Sequence, residues 1–331
     1  MTVAIWIAVA LLALIVLLLG GLAVFSAHTA RRVEKLLPAR GRFIDIDGER
    51  IHYLDEGSGP PLVLIHGLAG QARVFTHSLL DHLKSNHRVI ILDRPGCGYS
   101  TRAPKSSAAV SAQARTVAGF IEALELERPL VVGHSLGGAI ALALALNHPE
   151  QVAGLALLAP LTHAPDEIAP LFRGLAISSP FVRHLVGWTS AIPISIRNRA
   201  FVLDMAFGPE PVAHDYGTRG GGLLNLRPHS FINASRDLMA AKADVKDMED
   251  RYHRLTIPVG ILFGTADRIL DATRHGTAMA TKVPGLDLEL IEGAGHMIVI
   301  TAAERSAKFI MRVAQRAASA TAPASAAGID D

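Results

Sequence analysis

Cysteine is almost missing from this sequence: Cys97 is the one cysteine in 331 residues. A lone thiol forms no internal disulfide and supplies no cysteine cluster for a metal, so it leaves the redox compartment open. A surplus of charge is missing too. With 32 basic and 30 acidic residues the formal net charge is +2, which gives no sign of a nucleic-acid surface. Phosphate loops are also wanting. Gly96-x-Gly98 and Gly220-Gly221-Gly222 are rich in glycine, yet neither opens a helix after a strand with a lysine or a distant acid placed for phosphate. No internal repeat is visible, and no cofactor or metal is expected.

Apolar residues, in contrast, make up 50% of the chain, and much of the excess sits at the N-terminus. Val3 to Phe25 carries no charge. As a helix this run would extend about 34 Å, enough to cross the hydrocarbon core, where only internally bonded backbone is tolerated. A signal peptide usually has a basic start and a shorter apolar stretch, and no Lys or Arg precedes this run. Ser26-Ala27-His28-Thr29-Ala30 is a poor cleavage site, so a cleaved signal is the alternative, and a buried core helix a third. We therefore expect a single-pass membrane anchor over 1–30 and a basic linker over 31–41. Arg31, Arg32, Lys35 and Arg40 follow the run, which by the positive-inside rule puts the remainder on the cytoplasmic side.

After the linker, Phe43 to Asp45 and Arg50 to Leu54 read as paired strands around an Asp47-Gly48 turn. Near-continuous apolar runs at Leu62–Ile65, Val89–Leu92, Leu130–Val132 and Val152–Leu158 have the character of strands buried on both faces. Helical patterns at Ala72–Lys84, Ala108–Leu126 and Gly137–Asn147 separate them, so parallel strands joined by helical crossovers are expected. The alternation stops near Pro160. It resumes with a strand at Ile257–Phe263, a helix at Ala272–Thr281, a strand at Leu286–Ile291 and a helix at Ala302–Arg316. This predicts an α/β core in two parts, 42–160 and 252–317, interrupted by a helical cap over 161–251. The Ala-, Ser- and Thr-rich tail, 318–331, has little to bury and is expected to be disordered.

Chemistry concentrates at the ends of these strands. Gly133-His134-Ser135-Leu136-Gly137 fits G-x-S-x-G where a strand gives way to a helix. Such a turn is crowded, glycines relieve it, and the serine hydroxyl stands at a helix N-terminus whose N–H groups favour negative charge. A serine hydroxyl needs a positioned base, and the base an orienting carboxylate. His296, in Gly293-Ala294-Gly295-His296 after the last strand, is the expected base. Asp267, in Gly264-Thr265-Ala266-Asp267, is the expected acid, with Asp271 and Asp166 as rivals. Oxyanion donors are expected from Leu136 N–H and from Leu68 N–H in the His66-Gly67-Leu68 loop, with His66 supporting that loop rather than reacting.

These segments, together with Asp93-Arg94-Pro95-Gly96-Cys97-Gly98-Tyr99-Ser100, resemble the α/β-hydrolase superfamily in order and spacing from about residue 42 to residue 316. The likeness is to its esterase, lipase and cofactor-free haloperoxidase branch, with a cap over the site. The resemblance implies an α/β-hydrolase fold and an acyl-enzyme reaction run by Ser135, His296 and Asp267. It also implies a structural role for Asp93 to Ser100, with Cys97 in packing. Epoxide hydrolases and haloalkane dehalogenases of this fold carry an aspartate where this chain has Ser135. C–C bond hydrolases often place asparagine before the serine, where this chain has His134. The expected substrate is a small apolar or lipid-like carboxylic ester. Perhydrolysis, haloperoxidation or lactone hydrolysis on the same triad is the alternative. A non-catalytic binding role is less favoured, because no triad member is missing.

Overall fold

The computed structural model describes residues 2–321. The apolar N-terminal run forms a long helix, α1 (Thr2–Leu36), whose large side chains from Val3 to Leu18 stand exposed. Ser26, Val33 and, just past the helix, Leu37 are buried against the rest of the chain. The stretch expected as a linker from residue 31 is therefore helical as far as Leu36. Lys, Arg and Leu propagate a helix readily, and the residue before Pro38 is the place where one should stop.

A hairpin follows, β1 (Arg42–Ile46) and β2 (Glu49–Glu56), turning through Asp47 at φ +51° and Gly48 at φ +82°. Two left-handed residues make the tight two-residue turn that the Asp-Gly pair predicts. Next come β3 (Pro61–Ile65), α2 (Arg73–Thr76), α3 (Leu79–Leu83), β4 (Arg88–Leu92), α4 (Val110–Ala123), β5 (Leu130–His134), α5 (Leu136–Asn147) and β6 (Gly154–Leu158). The segment after β6 contains α6 (Pro180–Trp188), α7 (Ala191–Arg197), α8 (Arg199–Phe207) and α9 (Pro228–Glu249), and no strand among its described residues. The chain closes with β7 (Val259–Gly264), α10 (Ala272–His275), β8 (Asp287–Ile291), α11 (Ile298–Thr301) and α12 (Ala303–Thr321).

The eight strands form one sheet in the order β1-β2-β4-β3-β5-β6-β7-β8. β1, β2 and β4 pair antiparallel, and every pairing from β4 through β3 to β8 is parallel. The runs of β5, β6 and β7 are buried along their whole length, which is why they read as unbroken apolar stretches. α5 is buried from Leu136 to Ala145 and packs between sheet and helices, so it too is apolar all round.

Three expected helices differ in extent. The one over 72–84 is split into α2 and α3 at Ser78, whose backbone (φ −145°, ψ −40°) leaves the helical region. The one over 272–281 ends as α10 at His275, and Thr277–Thr281 continues as a 3-10 turn after Gly276. α12 runs past residue 317 to Thr321, its Ala-rich end continuing the helix, so residues 318–321 of the expected tail are helical. The rest of that tail, from residue 322, lies outside the described residues.

Candidate active site

Ser135 joins β5 directly to α5, and its backbone sits at φ +55°, ψ −120°, a strained conformation for a residue with a Cβ. Surrounding bonds hold it there. Ser135 N–H donates to Leu158 O at 3.1 Å, and Ser135 O accepts from Gly138 N–H at 2.9 Å and Leu161 N–H at 3.0 Å. The flanking glycines are required by space: a Cβ on Gly133 would lie 2.6 Å from Gly137 O, and one on Gly137 would run into Ile65 O. Leu136 N–H opens α5, where helix geometry leaves the first N–H groups without an intrahelical acceptor.

His296 lies in the loop between β8 and α11, and Asp267 just past β7. His296 Nδ1–H donates to Asp267 Oδ2 at 2.6 Å, and both side chains are buried. This bond assigns the proton to Nδ1 and leaves the Nε2 lone pair free. Asp267 Oδ1 accepts from Ile269 N–H at 2.7 Å and Leu270 N–H at 3.0 Å. Burial alone would raise the Asp267 pKa. The charge and hydrogen bond of His296, with those two N–H groups, outweigh it and hold the carboxyl below its usual range. The two rivals are engaged elsewhere: Asp271 caps α10 through Arg274 N–H at 2.7 Å, and the exposed Asp166 pairs with Arg274.

His134, next to the serine, ties the two halves together. Its ring lies 4.9 Å from that of His296, centroid to centroid, and its Nε2–H donates to His296 O at 3.1 Å. Burial and the neighbouring His296 push its pKa down to about 3, so the ring stays neutral. Glu210, just after α8, steadies the same loop by accepting from Gly295 N–H at 2.7 Å and Thr301 Oγ1–H at 3.0 Å. Ser135 Oγ itself has no hydrogen-bond partner among the described residues.

Gly67 approaches the serine from β3. A Cβ built on it would lie 2.8 Å from Ser135 Cβ, which only glycine avoids. The Gly67 carbonyl accepts from Arg94 Nη2–H at 2.9 Å, His66 Nδ1–H at 2.9 Å and Gly70 N–H at 3.1 Å. Since a trans peptide points its C=O and N–H opposite ways, these three donors also aim Leu68 N–H away from Arg94. His66 is fully buried and accepts from Arg94 N–H at 3.0 Å through Nε2, and burial with the Arg94 cation pushes its pKa down to about 3. It is a neutral strut for this loop.

Arg94 also bonds His66 O at 3.0 Å, Gln113 Oε1 at 2.6 Å and Asp237 Oδ2 at 2.7 Å, and Asp237 Oδ1 takes Arg102 Nη2–H at 2.6 Å. Asp237 belongs to α9, so the segment after β6 is keyed by a buried ion pair to the loop facing Ser135. Nothing local in the sequence singles out Glu210 or Asp237, because their partners lie 85 and 143 residues away. Asp93 braces the same region, accepting from Ala72 N–H at 2.7 Å and Tyr99 N–H at 2.8 Å. Cys97 is buried, which pushes its thiol up to about 11 and removes it as a nucleophile.

The comparisons with known proteins agree with this architecture. A family profile described as alpha/beta hydrolase fold matches residues 60–178. An uncharacterized protein of Mycobacterium tuberculosis is 30% identical over 274 residues, covering 80% of this chain and 78% of that protein. A 2-hydroxy-6-oxononadienedioate/2-hydroxy-6-oxononatrienedioate hydrolase of Burkholderia vietnamiensis is 28% identical over 272 residues, covering 81% of this chain and 91% of its own. Among solved structures, a membrane phospholipase A superposes with a TM-score of 0.61 at 24% identity, covering 96% of this chain and 99% of its own.

Proposed function

The chain belongs to the α/β-hydrolase fold family, and from that premise we propose that it is a serine hydrolase of apolar carboxylic esters, held at a membrane by α1. The observation that carries the reading is the Asp267–His296 pair at 2.6 Å, with His296 held against the residue next to Ser135. In this reading Ser135 Oγ attacks the ester carbonyl while His296 Nε2 takes its proton, and Asp267 stabilises the imidazolium that forms. Leu136 N–H and Leu68 N–H receive the oxyanion. His296 returns the proton to the departing alcohol, and water, activated by the same imidazole, releases the acid from the acyl-enzyme.

Residues 161–251 act as the cap over this site, joined to it through Glu210 and Asp237. The exposed apolar stretch of α1 is long enough to span a bilayer, and Arg31, Arg32, Lys35 and Arg40 favour the cytoplasmic side for the remainder. A second reading is favoured by the Burkholderia vietnamiensis relative, whose named substrate is an oxo acid without an ester. It would have the same triad cleave a carbon–carbon bond beside a ketone.

Steady-state rates on p-nitrophenyl esters of increasing acyl length, set beside an oxo-dienoate, separate the two. Ester turnover that rises with chain length and vanishes in Ser135→Ala is expected. Turnover of the oxo acid with inert esters would replace the ester reading with the second.

A further inference from the structure

The segment after β6 does not hide its apolar residues. On α6, Phe181, Leu185 and Trp188 repeat at helical spacing, and all three are exposed, Phe181 to 76%. The opposite side of the same helix buries Arg183 and Gly187 against the body. α7 and α8 continue the pattern with Ile194, Ile196 and Phe201 exposed. A soluble surface scatters such residues singly, whereas successive helices facing outward with them mark an interaction surface.

Two observations say what covers it. The first is position. Ser26, the polar residue that follows the apolar run of α1, is also the first buried residue along that helix, and its Oγ–H donates to Thr189 O at 3.3 Å, just past Trp188. The end of α6 thus lies at the level where the apolar run of α1 gives out. That is where a bilayer's interfacial zone would fall if α1 spans, and it is the depth that tryptophan favours. The second is charge. The side chains of Arg197 and Arg199, between the exposed apolar residues of α7 and α8, have no ion-pair or hydrogen-bond partner among the described residues, whereas the nearby Asp204 is paired with Arg268. Apolar side chains interleaved with unpaired arginines suit the headgroup layer of an anionic membrane.

We propose that the outer face of α6–α8 is a second membrane contact, seated in the headgroup layer of the same anionic bilayer that α1 crosses. This rests on reading α1 as the anchor. The full chain has two tryptophans, Trp6 in α1 and Trp188 on this face, so each can be read alone. Trp6→Phe and Trp188→Phe proteins are reconstituted in vesicles of phosphatidylcholine and phosphatidylglycerol and quenched with shallow or deep brominated lipid, or with aqueous acrylamide. The expected result is that Trp188 is quenched by the shallow bromolipid and loses acrylamide quenching relative to detergent. In the Arg197→Glu/Arg199→Glu double variant, acrylamide access should return.

Trp188 open to acrylamide and untouched by bromolipid, while Trp6, near the start of the apolar run, is quenched by shallow bromolipid, overturns the docking face and spares the anchor. Trp6 untouched by lipid overturns both. Trp188 shielded from lipid and acrylamide alike, with chain-to-chain cross-links through the face, assigns it to a second copy and overturns the proposal. The readout is optical and needs no turnover, so failure of the ester reading leaves it intact.

Discussion

Asp267 receives two backbone N–H bonds on one oxygen and His296 on the other, so its carboxylate is fixed where it holds the imidazole. Replacing it by Asn keeps the shape but turns an acceptor into a donor at Nδ1, forcing the wrong tautomer. Asp267→Asn should lower kcat by about 10⁴ while leaving the thermal midpoint close to that of the parent. A comparable loss from Asp271→Asn, measured side by side, would move the acid role. At this scale the sequence picks out Ser135 and His296, because each sits in a glycine-bounded motif that serves close approach. The acid was less legible. Three aspartates were candidates, and only the fold shows that Asp271 caps α10 and Asp166 meets Arg274. His134 was legible only as the residue before the serine, since its bond to His296 O joins positions 162 residues apart.

Among the elements, the coupling of α9 to the Gly67 loop has a kinetic consequence. In the proposed mechanism Arg94 is a positioning residue: it touches the far side of the Gly67–Leu68 peptide and would act through it. Lysine cannot reproduce its forked bonds to His66 O, Gly67 O and Asp237. Arg94→Lys should therefore reduce kcat, up to the roughly 10²-fold expected for a misaimed oxyanion donor, with little change in KM. A rise in KM with unchanged kcat would instead assign Arg94 to substrate binding. The strands were the most legible elements, because burial on both faces leaves a signal as simple as a continuous apolar run. α9 was not resolved as a helix beforehand, since its buried side includes Ser235 and Asp237 among Ile232, Ala241 and Val245. Polar residues there serve distant arginines and interrupt the apolar period. α6–α8 hid in another way, their apolar residues facing out instead of in.

For the molecule as a whole, three buried histidines and the half-buried His229 set a pH dependence of stability. Burial holds His66 and His134 down at about 3, and His229 and His275 at about 4, against an ordinary 6.5. In the unfolded chain these groups take up protons as pH falls through 6.5, while the folded protein resists doing so until about 4 to 3. Their stabilising contribution is thus complete above about 6.5 and is lost progressively below it. Asp267, held low, adds to the loss in more acid solution, from the ordinary carboxylate range downward. Thermal midpoints measured from pH 8 to pH 4 should hold steady and then decline from about 6.5. A midpoint unchanged down to pH 4.5 would mean that these rings are hydrated in solution.

The proposed hydrolysis depends on Ser135 being a nucleophile activated by His296. Intact-mass and peptide mapping after exposure to a fluorophosphonate test it most directly, because the reagent needs an activated serine and no knowledge of the substrate. One adduct is expected, on Ser135, absent in Ser135→Ala and strongly slowed in His296→Ala at matched thermal stability. Folded protein that takes up no adduct at Ser135, or reacts equally well in Ser135→Ala, would contradict it.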